Sequence, residues 1–532
     1  MPITGPDMIP IRKGNYLIGA STDFNKVFKK LQKKHQLHEL NRECGEEQYY
    51  DTFDWRLYRK KLLFSISNNR LHLRKFNGTS LYSATGRRRN KLFCWDIDDP
   101  RMAQLLGKYI DMRALCPTFV SRYDNRFFKV LNRDRKTVAW VKVTRNTARH
   151  GTAELKLPEY LGVTSVRGYE KSYEKLVKSL VGQGLRTMSN GSDLVDRAYA
   201  ITGRQPLDYG AKFHVALDHG VQIGTAFSKI CLDLVGAMEA NYAGVCNDID
   251  SEFLHDFRIA VRRTRSLMSL MRKVLPPDQL QLFETEFKWL GSVTGPVRDI
   301  DVYLLKKDAY QELLPRSLRS GLTLFFEQLA SQRTDELALL KKNLRSERYS
   351  HLLENWRIFL TDPQSELFKG VRKKSCLTLV NKIIGKRFNR FITDGDLIND
   401  QTDDEQLHKL RIKGKKFRYL LEFFRSFYTD RDVELFLKHM KKVQDNLGDF
   451  NDLSVQIDML NEKLGQLKGR NKQTIQLAAA LGSLITRLKH HHGVVRGQFN
   501  RTYKAFSTEE NKRLMRTLTT IHPSSGSDKR KK

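Results

Sequence analysis

Two runs of basic residues carry the clearest chemical signal in this chain. His255, Arg258, Arg262 and Arg265 stand three or four residues apart, so a helix turning about 100° per residue gathers them into a stripe of roughly 80°. His408, Arg411, Lys415 and Arg418 repeat that spacing, with Arg263 and Lys416 beside the two stripes. The opposite faces carry Phe257, Val261, Leu267 and Met271 in one run and Leu410, Phe417, Leu420 and Leu421 in the other, which suits packing into a helical core. Cations held in a row repel one another, so the arrangement calls for an anion running alongside. Arginine offers phosphate oxygens a planar fork of donors and lysine a point charge. A linear chain of phosphates suits this geometry, and nearby negative charge would favour the imidazolium of each histidine.

The two runs belong to a longer internal repeat. An offset of 153 residues takes His255 to His408 and also Lys288 to Lys441, Gly295 to Gly448, Asp299 to Asp452 and Val302 to Val455, without a gap. Arg298 becomes Asn451, so the copies need not bind equally. Each copy shows a Gly-containing stretch that reads as a turn, at Gly295–Asp301 and at Gly448–Asp452. Asp299 and Asp301 could bind a metal or work as acid and base, but in so basic a setting they are expected to pair with arginines and fix their rotamers. His490, His491 and His492 are consecutive and point to different faces of a helix, so they read as an exposed basic patch. No metal and no cofactor is expected.

The chain of 532 residues carries 94 Lys and Arg against 60 Asp and Glu, a net charge of +34. Residues 1–210 contribute +18 and residues 211–532 +16, so both parts are basic and an acidic partner is implied. Six scattered cysteines form no C-x-x-C pair, which argues against a disulfide framework or zinc site and suits a reducing cytoplasm. No stretch approaches the ~18 apolar residues of a spanning helix. The expected fold class is α+β. Residues 1–190 alternate short β-prone runs with turns at Asn68-Asn69, Asn77-Gly78 and Asn132–Asp134, with helices over about 23–35 and 169–185. Residues 191–214 read as a linker, 215–520 as helix nearly throughout (repeat units of about 215–360 and 365–515), and 521–532 as a basic disordered tail.

The H-x-x-R-x-x-x-R-R-x-R run from His255, the following Gly291–Val302 stretch and its copy resemble the CHAD domain over about residues 215–515. That resemblance implies tandem four-helix bundles related by pseudo-twofold symmetry, a basic groove between them that binds inorganic polyphosphate, and association with polyphosphate granules. The binding residues it implies are His255, Arg258, Arg262, Arg263, Arg265, Lys288, Arg298, His408, Arg411, Lys415, Lys416, Arg418 and Lys441.

Residues 9–190, through Tyr49–Leu57, Leu71–Arg74 and Arg167–Lys171, resemble the CYTH family. This implies an antiparallel β tunnel lined by Arg and Lys for triphosphate, with glutamates that bind divalent metal. The family's E-x-E-x-K run is missing from Ile9–Asn15, so a degenerate tunnel with no catalytic residues is expected, with Arg70, Arg74, Arg122, Arg126, Lys142 and Lys156 as candidate anion ligands. Arg87-Arg88-Arg89 reads as an exposed loop. The expected function is non-enzymatic polyphosphate binding. The rivals are a metal-dependent triphosphatase, favoured if the missing carboxylates lie elsewhere in the tunnel, and sequence-independent nucleic-acid binding. For the last, the ladders supply few aromatics on which bases could stack, Tyr419 alone approaching the cationic stripe.

Overall fold

The computed structural model describes residues 12–18, 24–188, 192–210, 213–272, 277–369, 375–469 and 471–520. The tail 521–532 and positions 9–11 lie outside the described residues. The chain divides into two compact units, Met1–Ala211 and Lys212–Lys532.

The first unit is built on a ten-stranded antiparallel sheet: β1 Lys13–Leu17, β2 Gln36–Asp51, β3 Leu62–Ser67, β4 Arg70–Lys75, β5 Ser80–Thr85, β6 Cys116–Leu131, β7 Thr137–His150, β8 Ala153–Lys156, β9 Tyr160–Ser165 and β10 Arg186–Thr187. The order is β10-β1-β9-β7-β6-β2-β3-β4-β5, with β8 on β7. Among the described residues five helices accompany it: α1 Phe24–Lys34, α2 Arg56–Arg59, α3 Pro100–Ile110, α4 Glu170–Val181 and α5 Ser192–Ala200. The hairpin turns fall where the sequence placed them, since Asn68, Asn69 and Gly78 all take positive φ.

Strand alternation gives this sheet one apolar face and one polar face. Phe128, Val130, Val141, Val143, Leu161 and Val163 pack with Val27 and Leu31 of α1 and Leu176 and Leu180 of α4. Further along, Leu71, Leu73 and Phe64 pack with Met102, Leu106 and Ile110 of α3. Burying each such side chain contributes about 1.5–3 kcal/mol, which fixes the strand register.

Three features of this unit depart from the sequence pattern. The run Lys91–Asp98 is not a strand: Leu92 alone bridges to Leu115, and Cys94–Asp96 forms a 3-10 turn. The stretch 191–214 is not a bare linker, because α5 packs Val195, Ala198 and Tyr199 against Trp55, Phe119 and Leu157. In addition, Asp208 accepts a 2.7 Å hydrogen bond from the Trp55 indole. Strand β2 is legible only through its partner. Its Glu-rich sequence has poor β propensity, but charged side chains pair across to β6, as in Arg42 with Asp124 at 2.7 Å and Arg126 with Glu39 at 2.6 Å.

The second unit is all helix: α6 Ile223–Cys246, α7 Ser251–Met271, α8 Pro277–Val293, α9 Gly295–Leu305, α10 Lys307–Glu312, α11 Arg319–Leu344, α12 Glu347–Thr361, α13 Cys376–Asp396, α14 Asp404–Phe423, α15 Asp430–Gly465, α16 Lys472–Phe506 and α17 Glu509–Thr519. The repeat is visible in the helix starts. Cys376, Asp404, Asp430 and Lys472 open helices 153 positions after Ile223, Ser251, Pro277 and Arg319 open theirs. One core gathers Phe227, Phe283, Phe287 and Trp356 from α6, α8 and α12, and the other gathers Phe388, Phe417 and Phe436 from α13, α14 and α15.

Neither Gly-containing stretch is a turn: Gly295–Asp301 is the start of α9 and Gly448–Asp452 lies within α15. Thr294 interrupts α8 and α9 because Pro296 has no N–H to continue the ladder, whereas Gly448 sits inside the unbroken α15. Buried Leu447 and Phe450 hold that helix through a glycine whose intrinsic cost is about 1 kcal/mol.

Candidate polyanion groove

Asp250 caps α7 by accepting from the backbone N–H groups of Glu252 and Phe253, and the apolar stripe of Phe257, Val261 and Met268 buries the rear of the helix. On α14, Leu410, Phe417 and Leu421 do the same. The remaining faces of α7 and α14 meet across a groove of about 510 Å³ lined by Arg262, Arg265, Ser266, Ser269, Arg272, Glu284, Lys288, Arg411, Ile412, Lys415, Lys416 and Tyr419. Thus Arg262 and Arg265 of one stripe and Arg411 and Lys415 of the other, from helices 153 residues apart in sequence, line one space. Seven of the twelve lining residues are cationic and one is a carboxylate, Glu284, which is paired with Arg272.

Among the described residues Arg262, Arg265, Lys288 and Lys415 have no carboxylate partner, and Lys416 Nζ is 3.4 Å from the Ser269 hydroxyl. The charges therefore press on each other. Burial, together with Arg411, Arg262 and Arg418, pushes the Lys415 ammonium down to about 8. Burial also lowers Lys416, with Arg387, Arg265 and Arg272 adding to the effect. Arg411 is lowered by burial and by Arg262, against the pull of Asp452 at 3.5 Å. Its buried Nε makes no hydrogen bond, leaving a donor unused at the groove wall.

The other predicted residues lie elsewhere. Arg263 does not face the groove: it pairs with Glu422 at 2.8 Å and lies over the rings of Phe213 and Tyr419. Arg258 donates to the Gly291 carbonyl and the Thr294 hydroxyl, pinning α7 to the α8–α9 junction. Arg298 donates to the Ser251 carbonyl and Glu252. Arg418 pairs with Glu422 and Gln444, although its charge still reaches Lys415. His255 is half-buried in the first half of α7. His408 is exposed and bonded through Nδ1 to Asn451, the residue that replaces Arg298 in the second copy. Lys441 is exposed on α15, outside the groove lining. Arg272 was missed in the sequence reading, though it stands two turns beyond Arg265 and extends the same stripe.

Of Asp299 and Asp301, Asp301 fixes an arginine. Asp301 and Asp248 clamp Arg333, at 2.5 and 2.7 Å. His492 stacks on Phe450 and bonds to Ser454, while His490 and His491 face solvent.

In the sheet unit, the polar face carries Glu47, which accepts from Arg74 at 2.8 Å, from Ser65 at 2.6 Å and from Tyr49 at 2.9 Å. Lys142 shares this face, its ammonium lowered by burial, with Glu43 and Glu47 opposing that effect. Neither glutamate was anticipated, because β2 was not read as a strand. A small cavity of about 160 Å³ there is lined by Asn15, Tyr49, Arg74 and Tyr160 among others. Arg122 and Arg126 are excluded from it. Alternation puts them on the opposite face, paired with Glu46 and Glu39, and Arg126 stacks on Phe128. Arg70 is exposed at the β3–β4 turn, and Lys156 is exposed on β8.

The second unit is thus a duplicated all-helical module whose repeated basic helices face each other across a cationic groove. Residues 229–461, all within the helical unit, match the model of the CHAD domain family. Among solved structures, the CHAD domain from the plant Ricinus communis is 25% identical, with 55% of this chain and 97% of that one covered at a TM-score of 0.45. PptA from Streptomyces chartreusis is 13% identical, with 53% and 100% covered at a TM-score of 0.43. No curated protein matches the chain. Among the described residues no helix is long and apolar enough to cross a membrane.

Proposed function

We propose that this protein binds inorganic polyphosphate without hydrolysing it, through the groove between α7 and α14, and that binding serves association with polyphosphate granules or their regulation. CHAD domains are associated with polyphosphate binding. The observation that carries the reading here is the set of Arg262, Arg265, Lys288 and Lys415, which face one groove and among the described residues have no carboxylate partner. A phosphate chain would relieve that mutual repulsion and engage the open Arg411 donor. Arg262 and Lys415, equivalent under the 153-residue offset, line the same groove, and Gln222 and Ser375, likewise equivalent, pair as a bridge. Such contacts support the pseudo-twofold relation between the repeats as part of the same proposal.

One repeat would offer the chain Arg262, Arg265 and Lys288 and the other Arg411, Lys415 and Lys416, so polyphosphate could run the length of the groove. Arg258, Arg263, Arg298 and Arg418 act behind it, holding the helices in place. The sheet unit, with Arg74 and Lys142 on its polar face, would add a smaller anion site. Titration of full-length protein with labelled polyphosphate at low and moderate salt tests the reading, since phosphate contacts release counterions and affinity should fall steeply with salt. Absence of binding at low salt would remove the function.

A further inference from the structure

We propose that the segment Gly86–Trp95 of the sheet unit is a binding site for single-stranded nucleic acid, distinct in chemistry from the polyphosphate groove and independent of it. Trp95 is 58% exposed. It is not loose, because it stacks on Phe93 with ring centroids 4.6 Å apart and an interplanar angle of 7°. The Lys91 ammonium lies 5.7 Å from the centroid of the same Phe93 ring. A flat aromatic surface of this size, supported from behind and open in front, is what an unpaired base needs for stacking.

The backbone of the segment is anchored while its basic side chains reach out. The Arg89 carbonyl accepts from the buried Tyr50 hydroxyl, Leu92 bridges to Leu115, and Arg88 donates to the Glu46 carbonyl. Arg87 and Arg89 are exposed, and among the described residues neither has a carboxylate partner. Of the nearby acids, Asp96 is occupied in capping the Phe93 N–H, and Asp99 takes the Met102 N–H and the Tyr82 hydroxyl. The exposed Asp98 leaves the segment strongly cationic.

Polyphosphate can use the cations but has no ring to lay on Trp95. A ligand that uses both alternates bases with phosphates, and cations beside a fixed aromatic platform are the usual means of holding a single strand without reading its sequence.

The test uses full-length protein, titrated with a labelled oligouridylate and with an abasic strand of equal length and charge. The oligouridylate should bind more tightly. Trp95→Ala, at an exposed position, should lower its affinity about fivefold or more, to the abasic level, while polyphosphate affinity stays unchanged. Equal binding of the two strands by the unaltered protein, or no effect of Trp95→Ala, overturns the proposal. So does displacement by uridine triphosphate at equal nucleotide concentration, which would assign the platform to a free nucleotide. An equal loss of polyphosphate affinity in Trp95→Ala would also overturn it, by reducing the segment to one more patch of charge.

Discussion

Replacing Lys415 by methionine should make the free protein more stable and a poorer polyphosphate binder. The side chain keeps its apolar stem and loses the ammonium that burial, Arg411, Arg262 and Arg418 hold down at about 8 instead of 10.5. At about 1.4 kcal/mol per pH unit, that depression would amount to about 3 kcal/mol against the charged form. The groove is open to solvent, which screens the charge, and we reduce the figure to about 1 kcal/mol. For a unit of this size the melting temperature of Lys415→Met should therefore rise by about 2 °C near neutral pH.

The sign follows from linkage. The folded-state value lies below the unfolded one, so the cost of the charge is fully present below about 8 and disappears as pH rises toward 10.5. Stability of the unaltered protein should rise across that window, and the variant should lack this rise. Polyphosphate affinity should fall about fivefold, as the loss of one charge-assisted contact of about 1 kcal/mol requires. Thermal melts across pH and anisotropy titrations check both outcomes. A lower melting temperature would refute the claim that the groove stores repulsion, and unchanged affinity would place the anion elsewhere.

Polyphosphate binding near pH 8 should take up protons, because a phosphate chain raises the Lys415 value, and calorimetry in two buffers of different ionisation enthalpy should show an uptake that Lys415→Arg abolishes. Arg263→Ala should destabilise the helical unit by about 1–3 kcal/mol by leaving Glu422 half-buried beside fewer donors, with less effect on affinity than Arg262→Ala, as denaturation and titration would show. Magnesium-dependent hydrolysis of tripolyphosphate should stay at background, since Glu47 is already engaged by Arg74, Ser65 and Tyr49; phosphate release that Glu47→Gln abolishes would reverse this.

Much of the helical unit was legible because duplication makes a pattern test itself. The 153-residue offset exposed the stripes, and one helical period separated the buried face from the cationic one. Periodicity could not tell which cations on that stripe reach the groove. Arg262 and Arg263 are adjacent and alike in type, yet Glu422 on another helix captures Arg263 and leaves Arg262 in the groove lining. Nor could it show that Gly448 remains helical, which depends on the burial of Leu447 and Phe450 and on the absence of a proline. In the sheet unit the period of two puts Arg70, His72 and Arg74 on one face of β4. Strand β2 went unread because cross-strand ion pairs replace the β-branched residues that would mark it, and Glu47 and the outward turn of Arg122 and Arg126 were hidden with it.

The central claim is tested most directly by titrating labelled polyphosphate into the unaltered full-length protein and into the Arg262→Ala, Lys415→Ala double variant at one moderate salt concentration. Two groove contacts of at least about 1 kcal/mol each predict a loss of more than tenfold, with the helical content intact and with Lys529→Ala, Lys531→Ala in the tail binding normally. Full binding by the groove variant, or an equal loss from the tail variant, would contradict the account.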